Sequence, residues 1–283
     1  MARVNLFVIG AMKSGSTTLH DYLSEHRDVF MSPVKEPGFF VPEIWGDRRA
    51  DEYLALFRNV HKEKYIGESS THYTKQPTYK NVADRIFQYN PESKIIYIVR
   101  NPILRTISHY YHNKRDLERH AEIRPIIKAI ESDVTYTAYS NYAMQIKPYI
   151  VKFGFHNVMV LTLESLIAEP EKAMRELYDW LEVDSLDISV STKRSNAAPA
   201  IYKKAGGLGL LNRFRYSLLW GKMASCFPQF IKDFCNRLAV KEEIVGLQPE
   251  VEKEVYSRLS PIFIKNVKEL TRLTNRSFDE WQL

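Results

Sequence analysis

Cysteine is nearly missing from this chain: Cys226 and Cys235 are the only two in 283 residues. A disulfide framework is thereby excluded, and no Cys/His grouping has the spacing of a zinc site, so no metal is expected. Long apolar runs are missing as well, which leaves no candidate for a membrane-spanning helix. The opening Met1-Ala-Arg-Val-Asn-Leu-Phe-Val-Ile-Gly10 passes straight into a strand pattern. It leaves no room for the charged, apolar and cleavage regions of a signal peptide, and the expected location is the cytoplasm. Internal repeats, low-complexity tracts and linkers are also lacking, which points to one domain over 1–283.

What is present suits a folded protein with a large core. Hydrophobic residues make up 45% of the chain and charged residues 26%, a balance unlike that of a disordered segment. The formal net charge of +6 favours anionic partners such as nucleotides, sulfated or phosphorylated ligands, or an acidic membrane surface. Charge alone does not choose among them.

Buried-strand patterns occur at 4–9, 64–67, 94–99 and 158–163, each followed by a helical pattern. That alternation predicts an α/β fold with a mostly parallel sheet covered on both faces. After 94–99, Asn101 suits a helix cap and Pro102 its first turn, with Ile103, Ile107 and Tyr110 on one side. A second apolar stripe runs from Tyr139 to Phe153, where Pro148 is expected to kink or end the helix. A third helix starts near Pro170 and carries Ala173, Leu177, Trp180 and Leu181. The core thus spans about 4–183, a variable region about 195–245, and a helical tail about 249–283.

The first strand closes on Gly10-Ala-Met-Lys13-Ser14-Gly15-Ser16-Thr17-Thr18, just before a helix. Such a turn directs backbone N–H groups and the helix's positive end into one concavity and binds phosphate. It departs from the ATP-binding pattern G-x-x-x-x-G-K-[ST], because Ser16 stands where that motif needs Lys. A second segment, Ile96-Tyr-Ile-Val-Arg100-Asn-Pro102 followed by Ser108, ends a strand in an Arg that can fork onto two phosphate oxygens.

Together, in this order, the two segments resemble the 5′-phosphosulfate and 3′-phosphate sites of sulfotransferases that use 3′-phosphoadenosine-5′-phosphosulfate (PAPS). The resemblance is greatest to the heparan sulfate (Golgi) branch and its bacterial relatives. It implies a P-loop-like central parallel sheet flanked by helices, with a helical C-terminal region. It also implies PAPS as co-substrate, 3′-phosphoadenosine-5′-phosphate (PAP) as product, and no metal. Lys13, Ser14, Gly15, Ser16, Thr17 and Thr18 would hold the 5′ end, Arg100 and Ser108 the 3′-phosphate. Lys13 would also stabilise the leaving phosphate.

Glu36, in Lys35-Glu36-Pro-Gly-Phe39-Phe40, resembles that branch's catalytic base, a Glu shortly before a Phe-Phe pair, and His72 is a second candidate. Gly67-Glu68-Ser69-Ser70-Thr71-His72-Tyr73 resembles the branch's E-K-[ST]-P-x-Y segment, with Ser69 in place of Lys and Thr71 in place of Pro. A basic contact to a sulfated glycan is therefore missing. Ser140-Asn-Tyr142-Ala-Met-Gln145 resembles a helix bordering the cleft, and Lys193-Arg194 suits a basic loop over the 3′-phosphate.

The expected acceptor is a hydroxyl group on a small molecule, glycan or lipid; no nucleic acid is expected. Residues 206–235, where apolar residues alternate with Arg213, Arg215, Lys222 and Lys232, suit either a peripheral membrane contact or a helix packed on the core. A P-loop kinase and a non-catalytic nucleotide-binding module stand as alternatives, and the oligomeric state is left open.

Overall fold

The computed structural model describes residues 3–115, 122–185 and 247–283, and the backbone of two strands at 200–204 and 240–244. Lys193, Arg194 and nearly all of 195–245, including 206–235, lie outside the described residues. The chain falls into two compact units: Met1–Tyr110 with Ile123–Ala197 and Pro249–Leu283, and Tyr111–Glu122 with Ala198–Gln248.

In the first unit five strands form one parallel sheet: β1 (Leu6–Val8), β2 (Val29–Met31), β3 (Tyr65–Ser69), β4 (Lys94–Val99) and β5 (Val158–Thr162), in the order β2-β3-β1-β4-β5. Phe7 lies opposite Glu68 on one side and Ile95 on the other. In the second unit β6 (Ala200–Lys204) pairs antiparallel with β7 (Val240–Ile244).

Among the described residues the longer helices are α1 (Ser16–Ser24), α2 (Val82–Tyr89), α3 (Pro102–Arg115), α4 (Tyr142–Phe153), α5 (Pro170–Leu181) and α6 (Pro249–Thr274). Because alternate residues of a strand face opposite ways, β1 and β4 feed two cores. Phe7, Ile95, Tyr97 and Val99 pack with Tyr142, Ala143, Ile146 and Tyr149 of α4. Leu6, Val8, Ile96 and Ile98 pack with Leu19 and Leu23 of α1 and with Met174, Leu177 and Leu181 of α5. None of the helices among the described residues is long and apolar enough to cross a membrane.

The expected sheet is found, with one strand the pattern did not show. β2 is three residues long, too short for a periodic signal. Pro148 does not end its helix: α4 runs on to Phe153, and the buried Tyr149 and Phe153 beyond the proline outweigh its lost hydrogen bond. The helix starts at Tyr142 rather than Tyr139 because the Asn141 side chain accepts from Met144 N and caps it there. Asn101 caps α3 as expected, its Oδ1 accepting from Ile103 N at 3.0 Å and Leu104 N at 3.2 Å.

At the carboxyl end of β1 the chain comes against the 71–74 turn. Thr74 Oγ1 donates to Ile9 O at 2.9 Å, and a Cβ placed on Gly10 would run into that Thr74 hydroxyl oxygen. Gly10 also has φ +148, so a side chain there meets both strain and a clash. Gly10→Ala should lower stability by about 1–3 kcal/mol, read from the urea midpoint; an unshifted midpoint would contradict the close approach.

Glu68 is fully buried on β3 and is held by three hydroxyls: Tyr53 at 2.9 Å, Tyr73 at 2.6 Å and Ser70 at 2.8 Å. Burial outweighs those donors and pushes its carboxyl up to about 7. A carboxyl raised above its unfolded value stabilises the fold fully below that value, and the contribution fades as pH climbs to the folded one. Glu68 should therefore make stability fall by about 3 kcal/mol between pH 4.5 and somewhat above 7. Glu68→Gln should flatten that slope in urea unfolding curves across the window; equal slopes in the two proteins would refute the assignment.

Candidate active site

Because β1 and β4 are neighbours in parallel, their carboxyl ends bring the Gly10–Thr18 turn and Arg100 to the same edge of the sheet. Ala11 N donates to Ile98 O at 2.6 Å, which stitches the turn after β1 to β4. Lys13 at φ 70 and Gly15 at φ 87 then bend the chain so that α1 begins with Gly15 as its N-cap and no side chain capping it. A Cβ on Gly15 would approach Leu163 Cδ1 to 2.5 Å. No acidic residue occupies the first turn of α1, so the helix's positive end faces outward uncompensated. Ser14 is fully buried and its Oγ has no hydrogen-bond partner among the described residues. Ser16 is buried, and Lys13, Thr17 and Thr18 are half-buried around it. This donor set fits a phosphosulfate group.

Arg100 is the first residue beyond β4 and is half-buried; its carbonyl accepts from Tyr142 Oη at 2.7 Å. No hydrogen bond or ion pair engages its guanidinium among the described residues. Ser108 lies on α3, also half-buried. The Ser140–Gln145 stretch works as a fastener. Ser140 Oγ bonds Arg105 Nε and donates to Pro102 O, while Gln145 exchanges two hydrogen bonds with the backbone of Gln76. Arg105 itself is fully buried, donates from Nη2 to Tyr136 O at 2.6 Å, and has no carboxylate within ion-pair distance among the described residues.

Glu36 adopts φ 58, a left-handed conformation uncommon outside glycine. It is held there by Glu36 N donating to Ser69 O at 2.8 Å and by both carboxylate oxygens. Oε1 pairs with Lys35 Nζ at 2.8 Å, and Oε2 accepts from Thr71 N at 2.7 Å and Thr71 Oγ1 at 3.0 Å. Thr71 stands where the resembling segment has Pro, and Pro offers neither donor. Lys35 Nζ also donates to Ser16 Oγ at 3.4 Å, so one ammonium joins the carboxylate to the head of α1. Burial pushes the Glu36 carboxyl up, but Lys35 and the Thr71 N–H together hold it below its ordinary value.

His72 is half-buried with Nε2 3.9 Å from Glu36 Oε2. Burial first, then the Lys75 ammonium, pushes its pKa down to about 4. Lys75 Nζ lies 3.3 Å from His72 Nδ1. Ser69, in place of the family's Lys, is fully buried and pairs with His20 Nδ1 at 2.8 Å. A cation is nonetheless present, because Lys75, six residues later, returns one to the neighbourhood. Lys75 carried no sequence signal, since a lone Lys reads as a solvated surface residue, and Thr71 showed only as a departure from the family's Pro, not as a donor. Among the described residues no group of His, Cys, Asp and Glu is arranged to hold a metal.

Residues 4–197 match the family model described as Sulfotransferase domain. Among curated proteins, the chain is 32% identical over 120 residues to the membrane-associated sulfotransferase kil1 of Dictyostelium discoideum, covering 41% of this chain and 24% of that protein. It is 26% identical over 220 residues to heparan sulfate glucosamine 3-O-sulfotransferase 3B1 of Mus musculus, covering 71% and 52%. The chain thus spans about half or less of the length of these curated relatives. Among solved structures, a sulfotransferase from Alicyclobacillus acidocaldarius superposes with a TM-score of 0.72 at 23% identity, over 99% of each chain, which shows a common fold. With the family model spanning well over half of its length, the chain belongs to the sulfotransferase family.

Proposed function

We propose that this chain transfers the sulfuryl group of PAPS to a hydroxyl of an acceptor, releasing PAP and a sulfate ester. The observation that carries the reading is Lys35, whose ammonium bonds Glu36 Oε1 and Ser16 Oγ at once. It tethers a carboxylate to the mouth of a phosphate-binding turn, where an acceptor oxygen must meet the activated sulfur in line.

In this reading PAPS supplies the activated sulfuryl group. The turn Lys13, Ser14, Gly15, Ser16, Thr17 and Thr18 holds its 5′ end. Arg100 and Ser108 hold the 3′-phosphate, and the basic pair Lys193 and Arg194, outside the described residues, is assigned to the same phosphate from its charge. Glu36 takes the acceptor's proton as the acceptor oxygen bonds to sulfur. The bond from sulfur to the bridging oxygen breaks, and Lys13 with the positive end of α1 stabilises the charge left on the phosphate. His72 is the competing base, and the tether to Ser16 favours Glu36. The names of the relatives include a glycan hydroxyl acceptor, which makes a sugar the first class to try.

The same proposal treats 1–283 as one catalytic domain in the cytoplasm. The basic residues Arg213, Arg215, Lys222 and Lys232 support a contact of 206–235 with an acidic membrane surface.

A ligand that binds only the folded state raises its melting temperature. PAP should do so without metal, whereas ATP with Mg²⁺ should not; the reverse pattern would sink the assignment to PAPS. Glu36→Gln should keep the PAP shift and lose roughly 10²–10⁴-fold of PAP release from PAPS, assayed with a sugar, a long-chain alcohol and a phenol as acceptors. Because the carboxyl is held below its ordinary value, its ionised form persists on acidification, and the acid limb in kcat/KM should lie below the ordinary carboxylate range. Undiminished turnover in Glu36→Gln would move the base to His72.

A further inference from the structure

Beside His72 stands a cation with no carboxylate within ion-pair distance among the described residues, Lys75. It is half-buried, an expensive place for an ammonium. Its one hydrogen bond there is to His72 Nδ1, at 3.3 Å. An ammonium has three donors and no acceptor, so Nδ1 must accept, and the neutral ring then carries its proton on Nε2. Nε2 is the nitrogen that faces Glu36 Oε2 across 3.9 Å. That separation is too long for a direct hydrogen bond, yet one hydroxyl oxygen set to the side of the gap can lie about 2.8 Å from both atoms.

We infer that Lys75 is a positioning residue that holds His72 as the Nε2–H tautomer, so that His72 donates to the same acceptor hydroxyl from which Glu36 takes the proton. The inference rests on the reading of Glu36 as base. The hydroxyl receives Nε2–H on its lone pair while its own hydrogen points to Oε2. As the proton leaves for Glu36, the Nε2–H bond stays in place and stabilises the oxygen that attacks sulfur. Lys75 does this without touching the acceptor.

The charged and titratable groups around the ring agree with this role. From its own segment Lys75 and Tyr79 face it, and from the loop after β2 Lys35 and Glu36 do; the charge of Arg105 on α3 also acts on Lys75. The two lysines oppose a charge on the ring, and Glu36 favours one. With burial added, the ring is neutral at physiological pH and a donor through Nε2 rather than an imidazolium paired with Glu36. An imidazolium there would lower the basicity of Glu36 further.

The test is a long-range ¹H–¹⁵N spectrum of the full chain labelled at histidine, with His72 identified by the signal lost in His72→Gln. Wild type should show His72 as the Nε2–H tautomer with no titration between pH 5.5 and 8. Lys75→Met should show mixed tautomers and a midpoint raised by a unit or more toward the ordinary 6.5, and Lys75→Arg should restore the wild-type pattern. With any acceptor that gives PAP release, Lys75→Met should lower kcat roughly tenfold and leave KM for PAPS within about twofold. An Nδ1–H tautomer in wild type, or a His72 signal in Lys75→Met that titrates as in wild type, would overturn the inference. The wild-type tautomer decides by itself if Lys75→Met does not fold. Full activity in Glu36→Gln would remove the base while leaving the Lys75–His72 bond standing, so the two failures are distinguishable.

Discussion

The bond from Lys35 to Glu36 is the interaction on which the candidate site depends. Glu36 sits in a left-handed conformation on a loop whose backbone is tied to β3 by Glu36 N donating to Ser69 O, but its carboxylate would swing freely without partners. Lys35 anchors one oxygen and Thr71 the other, from two different segments, and Lys35 reaches on to Ser16. A half-buried, charge-assisted pair of this kind resists screening better than an exposed one. Its value here lies less in stability than in distance: it sets how far the carboxylate stands from the phosphate turn.

Behind that pair the scaffold is built from buried polar bonds. Ser70 Oγ accepts from Gly38 N at 3.0 Å and donates to Glu68, which Tyr53 and Tyr73 also hold. The loop carrying Glu36 is thus fixed from below as well as from the side, with Phe39 stacked on Tyr53 at 4.1 Å. On the other flank, the C-terminal segment closes the β4–α3 corner. Glu164 accepts from Asn101 N and from Trp281 Nε1, and Asn101 Nδ2 donates to Gln282 O. Each bond satisfies a group whose burial alone would cost free energy, so the network admits few other arrangements.

Much of this was legible in the chain. The strand at 94–99 and the cap at Asn101 emerged where hydrophobic pattern and cap chemistry placed them, because both are local properties. Other features depend on distant partners. β2 has three residues and exists because β3 lies beside it. Pro148 ought to break its helix, and does not, because the core holds Tyr149 and Phe153 on its far side. Ser140, Tyr142 and Gln145 formed a recognisable pattern whose work, bonding Arg105, Arg100 and Gln76, no spacing discloses.

By itself, the sequence determined the α/β class and a strand–turn–helix at Gly10–Thr18, since periodicity and turn chemistry act over a few residues. Resemblance to a family, rather than spacing, made Arg100 a phosphate candidate and Glu36 a base candidate. Tertiary structure alone decided which groups meet Glu36. Thr71 supplies two donors from 35 residues away, Ser69 turns to His20, and Lys75 brings a cation against His72. A carboxylate's partners are chosen by where the folded chain crosses itself, and that crossing is set by the packing of the whole sheet.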